Sequence, residues 1–261
     1  DAVWEGLRLY KEGVLHLDAH LRRMRESAKA LAFENVPTDE EVKRAIKMTL
    51  DANGMKDETH LRLTLTRGEK VTSGMDPRLN QNGCTLIVLA EWKSLVYDND
   101  SGIKVITSTQ RRNGPQFLDS KIHHNNLLNN IIAKIQANQA QVNAAIMLDD
   151  RGFISELNDT NIFMLKQGQL ITPHADACLP GISRAMVMKE TKNLGISVEE
   201  SNVSLTDFYN ADFAFGTGTM GQLTPILEAD GREIGNSQGR DFFLKINEAF
   251  VNAIPQHCEM L

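Results

Sequence analysis

A chain of 261 residues, with 28 Lys and Arg against 34 Asp and Glu, is long enough for one large core or two smaller ones. Its formal net charge of -6, with the basic residues scattered rather than striped, excludes a general nucleic-acid surface, and no apolar run approaches membrane-spanning length. Cys84, Cys178 and Cys258 have neither metal-ligand spacing nor the density of a secreted scaffold, which predicts a reducing cytoplasm.

In chain order, residues 3–10 and 14–17 read as short strands joined by a Lys11-Glu12-Gly13 turn. Asp18 is placed to cap a helix whose apolar stripe includes Leu21, Met24, Ala28 and Leu31. Arg22, Arg23 and Arg25 in its early turns read as a solvated basic patch. Thr38 with Glu41 three residues on is a capping-box signature for a second helix ending near Gly54. Residues 60–67 alternate polar and apolar, so period-two geometry puts His60 and Arg62 on one face and Leu61, Leu63 and Leu65 on the other. Residues 68–82 are loop-like, strands follow at 85–90 and 103–108, and residues 98–102 read as a simple turn.

Residues 111–118, centred on Asn113-Gly114-Pro115, interrupt the pattern, after which Leu127, Leu128, Ile131, Ile132 and Ile135 repeat at helical spacing over 126–138. Lys121 is thereby placed at a helix mouth, either as a solvated counter-charge or as an amine that desolvation keeps partly neutral for Schiff-base chemistry. The adjacent His123 and His124 diverge, and without a Cys or carboxylate cluster at ligand spacing no metal site is read. A strand at 144–148, a turn at 149–152 and strands near 153 and 162–165 follow. Short mixed strands and isolated helices, without regular beta-alpha-beta alternation, predict an α+β fold. Gly181 and Ser183 stand near the start of a helix running toward Leu194, whose first N–H groups suit a phosphate. Residues 216–221 read as a glycine-rich turn.

The stretch Asp119-Ser120-Lys121-Ile122-His123-His124-Asn125-Asn126, then Ile154-Ser155-Glu156-Leu157-Asn158-Asp159-Thr160-Asn161, then Leu179-Pro180-Gly181-Ile182-Ser183-Arg184, then Gly216-Thr217-Gly218-Thr219-Met220-Gly221 resembles the class IV (fold-type IV) pyridoxal phosphate enzymes. Among these the pattern is nearest to branched-chain aminotransferases. D-amino acid aminotransferases, R-selective amine transaminases and aminodeoxychorismate lyases belong to the same group, and a pyridoxal phosphate-binding homologue with little turnover is the non-enzymatic alternative. The resemblance runs from Trp4-Glu5-Gly6 to the Asp230-Gly231 turn and beyond.

The resemblance implies a two-domain fold of the D-amino acid aminotransferase type, with the cofactor between the domains. A smaller N-terminal domain over 1–112, preceded in family members by a further N-terminal stretch, leads through an interdomain loop at 113–118 to a larger cofactor-binding domain over 119–261. It makes Lys121 the residue that holds pyridoxal 5'-phosphate as a Schiff base and moves the proton, and Glu156 the acid facing the pyridine nitrogen. Arg23, Ile182, Ser183, in place of a commoner threonine, and Thr219 are implied as phosphate contacts. Trp4, His60 and Arg62 are implied to line the substrate side-chain pocket, and the N–H groups of Met220 and Gly221 to take the substrate carboxylate. Asn126 and His60 stand where tyrosines are common, and Trp4 where a phenylalanine is, so pocket polarity and volume differ from the usual pattern. The implied activity is a homodimeric or larger aminotransferase moving an amino group from an apolar, branched-chain L-amino acid to 2-oxoglutarate, with D-amino acids or R-amines as other donors.

Overall fold

The computed structural model describes residues 1–261, which gather into two compact units. The first comprises Asp1–Ser94, Ile122–Asn126 and Ile254–Leu261, and the second Leu95–Lys121 and Leu127–Ala253. No helix is long and apolar enough to cross a membrane.

The first unit is built from β1 (Ala2–Tyr10), β2 (Gly13–Leu15), α1 (Leu17–Ala30), α2 (Asp39–Asn53), β3 (Thr59–Thr66) and β4 (Thr85–Trp92). Its sheet is antiparallel, in the order β2-β1-β3-β4, with a closing strand at Cys258–Glu259 paired to β2. Alternation in β3 buries Thr59, Leu61, Leu63 and Leu65 and leaves His60, Arg62 and Thr64 on the other face. The buried leucines share a core with Leu17, Leu21, Met24 and Ala28 of α1 and with Val42, Ile46 and Leu50 of α2. The capping box at Thr38 and Glu41 is present, and Gly54 ends α2 in the left-handed conformation at φ 63°, where glycine carries no Cβ penalty. Asp18, by contrast, is not the cap of α1. Its neighbour Leu17 is fully buried and already helical, His16 occupies the cap position at φ 50°, and Asp18 lies in the first turn, paired with Lys43.

Because β2 pairs only with Leu9 and Tyr10, the upstream edge of β1 would be open. Residues 123–125 cover it. Trp4 N–H donates to His123 O at 2.9 Å, Asn125 N–H donates to Ala2 O at 3.0 Å, and Val3 and His124 form an antiparallel bridge. This satisfies backbone groups that would otherwise lie unpaired beside a buried core.

The second unit contains β5 (Ile103–Thr107), α3 (Leu128–Gln139), β6 (Ala144–Leu148), β7 (Ile154–Leu157), β8 (Asn161–Lys166), β9 (Gln169–Pro173), α4 (Ile182–Asn193), β10 (Val198–Ser201), α5 (Leu205–Tyr209), β11 (Phe213–Gly218), β12 (Gln222–Ala229) and α6 (Ser237–Ala253). Its mixed sheet runs β10-β9-β8-β11-β12-β5-β6-β7. The glycine-rich stretch is partly strand: β11 continues through Gly218, and only residues 219–221 form the turn into β12. Short strands in mixed order with separate helices make this an α+β molecule, as the residue pattern predicts.

The helix expected to open beside Lys121 starts only at Leu128. Residues 123–125 are held instead in the edge pairing described above, and Lys121 lies in a turn. The apolar repeat on α3 also serves another purpose than its spacing implies. Small Ala133 and Ala137 face the sheet, whereas Leu128, Ile131, Ile132 and Ile135 are 64%, 54%, 42% and 48% exposed.

Candidate active site

In the first unit, period two puts Glu5 on the same face of β1 as Val3, Leu7 and Leu9, and its carboxylate is fully buried. A charge there requires partners, and α1 supplies two of them. Arg23 donates through Nε to Glu5 Oε1 at 2.8 Å and through its terminal nitrogen to Oε2 at 2.7 Å, while His20 Nδ1 lies 2.7 Å from Oε2. His123 Nδ1 lies 3.2 Å from Oε1. Burial alone would raise the Glu5 pKa, but His123, Arg23 and His20 together hold it well below the usual carboxylate range. Burial pushes the His123 imidazole down, and Glu5 only partly offsets this. Arg23, expected as a phosphate contact, is thus oriented by a fork-to-fork pairing with Glu5.

On the opposite face of this sheet stand Trp4, His60 and Arg62. Gly6 is directly across from Arg62 in the β1–β3 register. A Cβ on Gly6 would meet Trp4 at 3.4 Å and His60 Nε2 at 3.5 Å, so the absent side chain leaves an alcove edged by the indole and the imidazole. Burial lowers the His60 pKa, and Lys93 adds to the shift, which favours a neutral ring.

In the second unit, β7 buries Glu156. Arg112 Nε donates to its Oε1 at 2.5 Å, and Asn161 Nδ2 donates to its Oε2 at 3.1 Å. Burial pushes the Glu156 carboxyl up against the opposing pull of Arg112. The Asn161 amide also donates to Leu179 O at 2.9 Å. Through this one side chain, Glu156 is tied to the turn that opens α4. Gly181 is the cap residue of that helix and makes no side-chain cap bond, which leaves the first-turn N–H groups near Ile182 and Ser183 available to an anion. A Cβ on Gly181 would lie 2.0 Å from Asn161 Oδ1. Only glycine permits the amide to sit there.

Thr219 and Met220 lie in the turn after β11, half-buried. Met220 O accepts from Val96 N–H at 3.0 Å, and the Gly221 N–H donates to Gly218 O at 3.2 Å, so the latter closes the turn itself. The neighbouring Thr217 hydroxyl is buried without a partner. Lys121 is exposed, and its backbone N–H donates to Asp119 Oδ1 at 3.0 Å, which fixes the turn that presents it.

The structure therefore brings Arg23 to Glu5, Trp4 to His60 and Arg62, and Glu156 to the Ile182–Ser183 helix start. Sequence reasoning missed Arg112, whose partner is 44 residues away, and left Asn161 without a chemical role. It also passed over Glu5, although its parity with Val3, Leu7 and Leu9 was a usable signal.

The fold is that of solved branched-chain aminotransferases. The enzyme of Thermoproteus uzoniensis, described with norvaline, superposes with a TM-score of 0.89 at 29% identity over 99% of this chain and 86% of its own. A T.th. branched-chain amino acid aminotransferase complexed with N-(5'-phosphopyridoxyl)-L-glutamate gives 0.88 at 28% identity, over 98% and 85%. The profile described as amino-transferase class IV matches residues 2–229, and the chain belongs to that family. A putative branched-chain-amino-acid aminotransferase of Methanocaldococcus jannaschii is 38% identical over 96% of this chain and 86% of its own length. Branched-chain-amino-acid aminotransferase-like protein 2 of Arabidopsis thaliana is 61% identical over 91% of this chain, which spans 43% of that relative.

Proposed function

We propose that this chain is a pyridoxal 5'-phosphate-dependent aminotransferase that moves the amino group of a branched-chain or other apolar L-amino acid to 2-oxoglutarate. The observation that carries the reading is the Glu156 array: a buried carboxylate held by Arg112 and Asn161, with the same Asn161 amide fixing the start of a helix that no side chain caps. An acid and an anion-binding helix start tied by one amide suit a ligand with a basic ring nitrogen at one end and a phosphate at the other. The Thr217 hydroxyl, buried without a partner beside Thr219, and the space that Gly181 leaves for Asn161 fit the same ligand. Relatives complexed with N-(5'-phosphopyridoxyl)-L-glutamate and with pyridoxamine 5'-phosphate support it.

When bound, the cofactor supplies an electron-withdrawing ring that stabilises the charge left at the amino acid's α carbon when its proton is removed. The chain's own residues do the rest. In the second unit Ile182, Ser183 and Thr219 would hold phosphate; in the first, Arg23, its guanidinium oriented by Glu5, is proposed as a phosphate contact. Glu156 favours a protonated ring nitrogen. Lys121 would anchor the cofactor aldehyde through its amine and, once displaced by the incoming amino group, would carry the proton from the substrate's α carbon to the cofactor's former aldehyde carbon. Trp4, His60 and Arg62 would receive the substrate side chain; the turn at Met220 and Gly221 is proposed for its carboxylate, with the Gly221 N–H shared with Gly218 O.

The exposed apolar stripe of α3, Leu128, Ile131, Ile132 and Ile135, supports a homodimer or larger homo-oligomer as the working form. The free thiols of Cys84, Cys178 and Cys258 fit a reducing cytoplasm. Borohydride reduction of the cofactor-loaded protein, followed by peptide mass spectrometry, tests the reading. The pyridoxyl group is expected on Lys121, and an adduct on any other residue sinks it.

A further inference from the structure

The Arg62 guanidinium carbon lies 4.0 Å from the centre of the Trp4 ring. At that separation a planar cation rests on the indole's electron-rich face. Arg62 has otherwise only a long contact to Asn125 Oδ1 at 3.5 Å and no carboxylate among its ion pairs, so the indole is its principal support. Trp4 is itself fixed from two sides. Its Nε1–H donates to His124 O at 3.2 Å, and its ring meets that of His123 with centroids 4.2 Å apart. His123 is in turn held by Glu5 and by Ser27 Oγ, which accepts its backbone N–H at 3.0 Å.

We propose that Trp4, steadied by His123, is the positioning residue that aims Arg62 at the distal carboxylate of a dicarboxylate substrate, and so sets the balance between dicarboxylate and apolar substrates. The inference rests on the proposed amino transfer to 2-oxoglutarate and takes Arg62, whose planar fork matches a carboxylate, as the contact for that acid and for glutamate. The physical problem is that one alcove accepts both an apolar side chain and a carboxylate. An arginine free to rotate loses affinity to the entropy of ordering it, whereas one already stacked on an indole offers its outer N–H groups without that loss. The Gly6 gap beside Trp4 keeps the indole edge open to an apolar side chain. An indole therefore serves both substrates, as an apolar wall for one and as a shelf for the cation that receives the other.

The test compares half-reactions of the holoenzyme by stopped flow, with L-glutamate and L-leucine as donors and 2-oxoglutarate as acceptor. Arg62→Ala is the reference and should lower the glutamate-to-leucine ratio of kcat/KM by about tenfold or more, the loss of a bidentate charge-assisted contact. Trp4→Leu should lower the same ratio by about tenfold, the scale of a desolvated cation–π contact, and Trp4→Phe, which keeps an aromatic face, should recover most of it. The double variant Arg62→Ala/Trp4→Leu should be no less selective than Arg62→Ala alone, because Trp4 acts through Arg62. His123→Gln, which keeps a polar partner for Glu5 but removes the ring from Trp4, should shift the ratio in the same direction, and it decides alone if Trp4→Leu does not fold. A lowered ratio in Arg62→Ala with an unchanged ratio in the Trp4 and His123 variants overturns the positioning role and leaves the Arg62 contact standing. An unchanged ratio in Arg62→Ala removes both.

Discussion

Arg112 and Glu156 form a buried ion pair, Nε to Oε1 at 2.5 Å, with both side chains 6% exposed. Removing one partner of such a pair leaves a charge with neither water nor counter-ion. Arg112→Met is expected to lower stability by about 3–5 kcal/mol, measured by urea denaturation, and Arg112→Met/Glu156→Gln by distinctly less. Burial raises the Glu156 pKa in the folded state, so proton uptake favours the folded form. The defect of Arg112→Met should therefore shrink as pH falls toward the ordinary carboxylate range. A deficit that is unchanged by pH and by the second substitution would mean that the cost lies in packing rather than in the stranded charge.

The Glu5 cluster predicts the opposite trend. Glu5 is held well below its ordinary value of 4.5 in the folded state, so its stabilising contribution is complete above that value and is lost as pH falls below it. His123 is pushed below its ordinary 6.5 by burial. The unfolded chain therefore takes up a proton there first, and stability begins to fall as pH drops through that value. Glu5→Gln should be the less stable protein at neutral pH, with the gap to wild type narrowing below about pH 4.5. Parallel stability curves across that range would refute the assignment.

Gly181→Ala isolates the link between Glu156 and α4. The backbone at φ -64° accepts alanine without strain, so any effect comes from the Cβ meeting Asn161 Oδ1 at 2.0 Å. Asn161 cannot simply swing aside, because its amide nitrogen is committed to both Glu156 and Leu179. Overpacking of this kind costs about 1–3 kcal/mol. Cofactor affinity, followed by absorbance titration, should fall about tenfold or more. Wild-type affinity would show that Asn161 is not part of the cofactor frame.

Ile131→Glu/Ile135→Glu tests the apolar face of α3. Both residues are about half exposed and far from the sheet-facing Ala133 and Ala137, so the folded chain should tolerate the change. Sedimentation should show the variant as a smaller species than wild type at equal concentration. Identical sedimentation would assign association to another surface.

Much of the first unit was legible because its elements follow one periodicity each. Leu61, Leu63 and Leu65 fix the buried face of β3, and Thr38 with Glu41 fixes the start of α2. Reading failed where a distant segment decides. Asp18 looks like a cap until the burial of Leu17 starts the helix earlier. The α3 stripe looks like a core face, yet it is the two alanines that allow close approach to the sheet. Lys121, Glu156 and the two glycine-rich stretches were singled out from ordered motifs; Asn161 lies in one of those motifs without its bond to Glu156 being foreseen, and Arg112 was missed because its partner is 44 residues away.

The pairing of residues 123–125 with β1 also has a consequence in time. Trp4 and His124 are 120 positions apart, so during synthesis β1 waits, with its upstream edge unpaired, until the segment after Lys121 has been made. Exposed strand edges recruit other strands, and contacts that close so long a loop form late. The nascent chain therefore passes through an interval in which the upstream part of β1 is an open strand edge. The few residues that follow Lys121 end that interval.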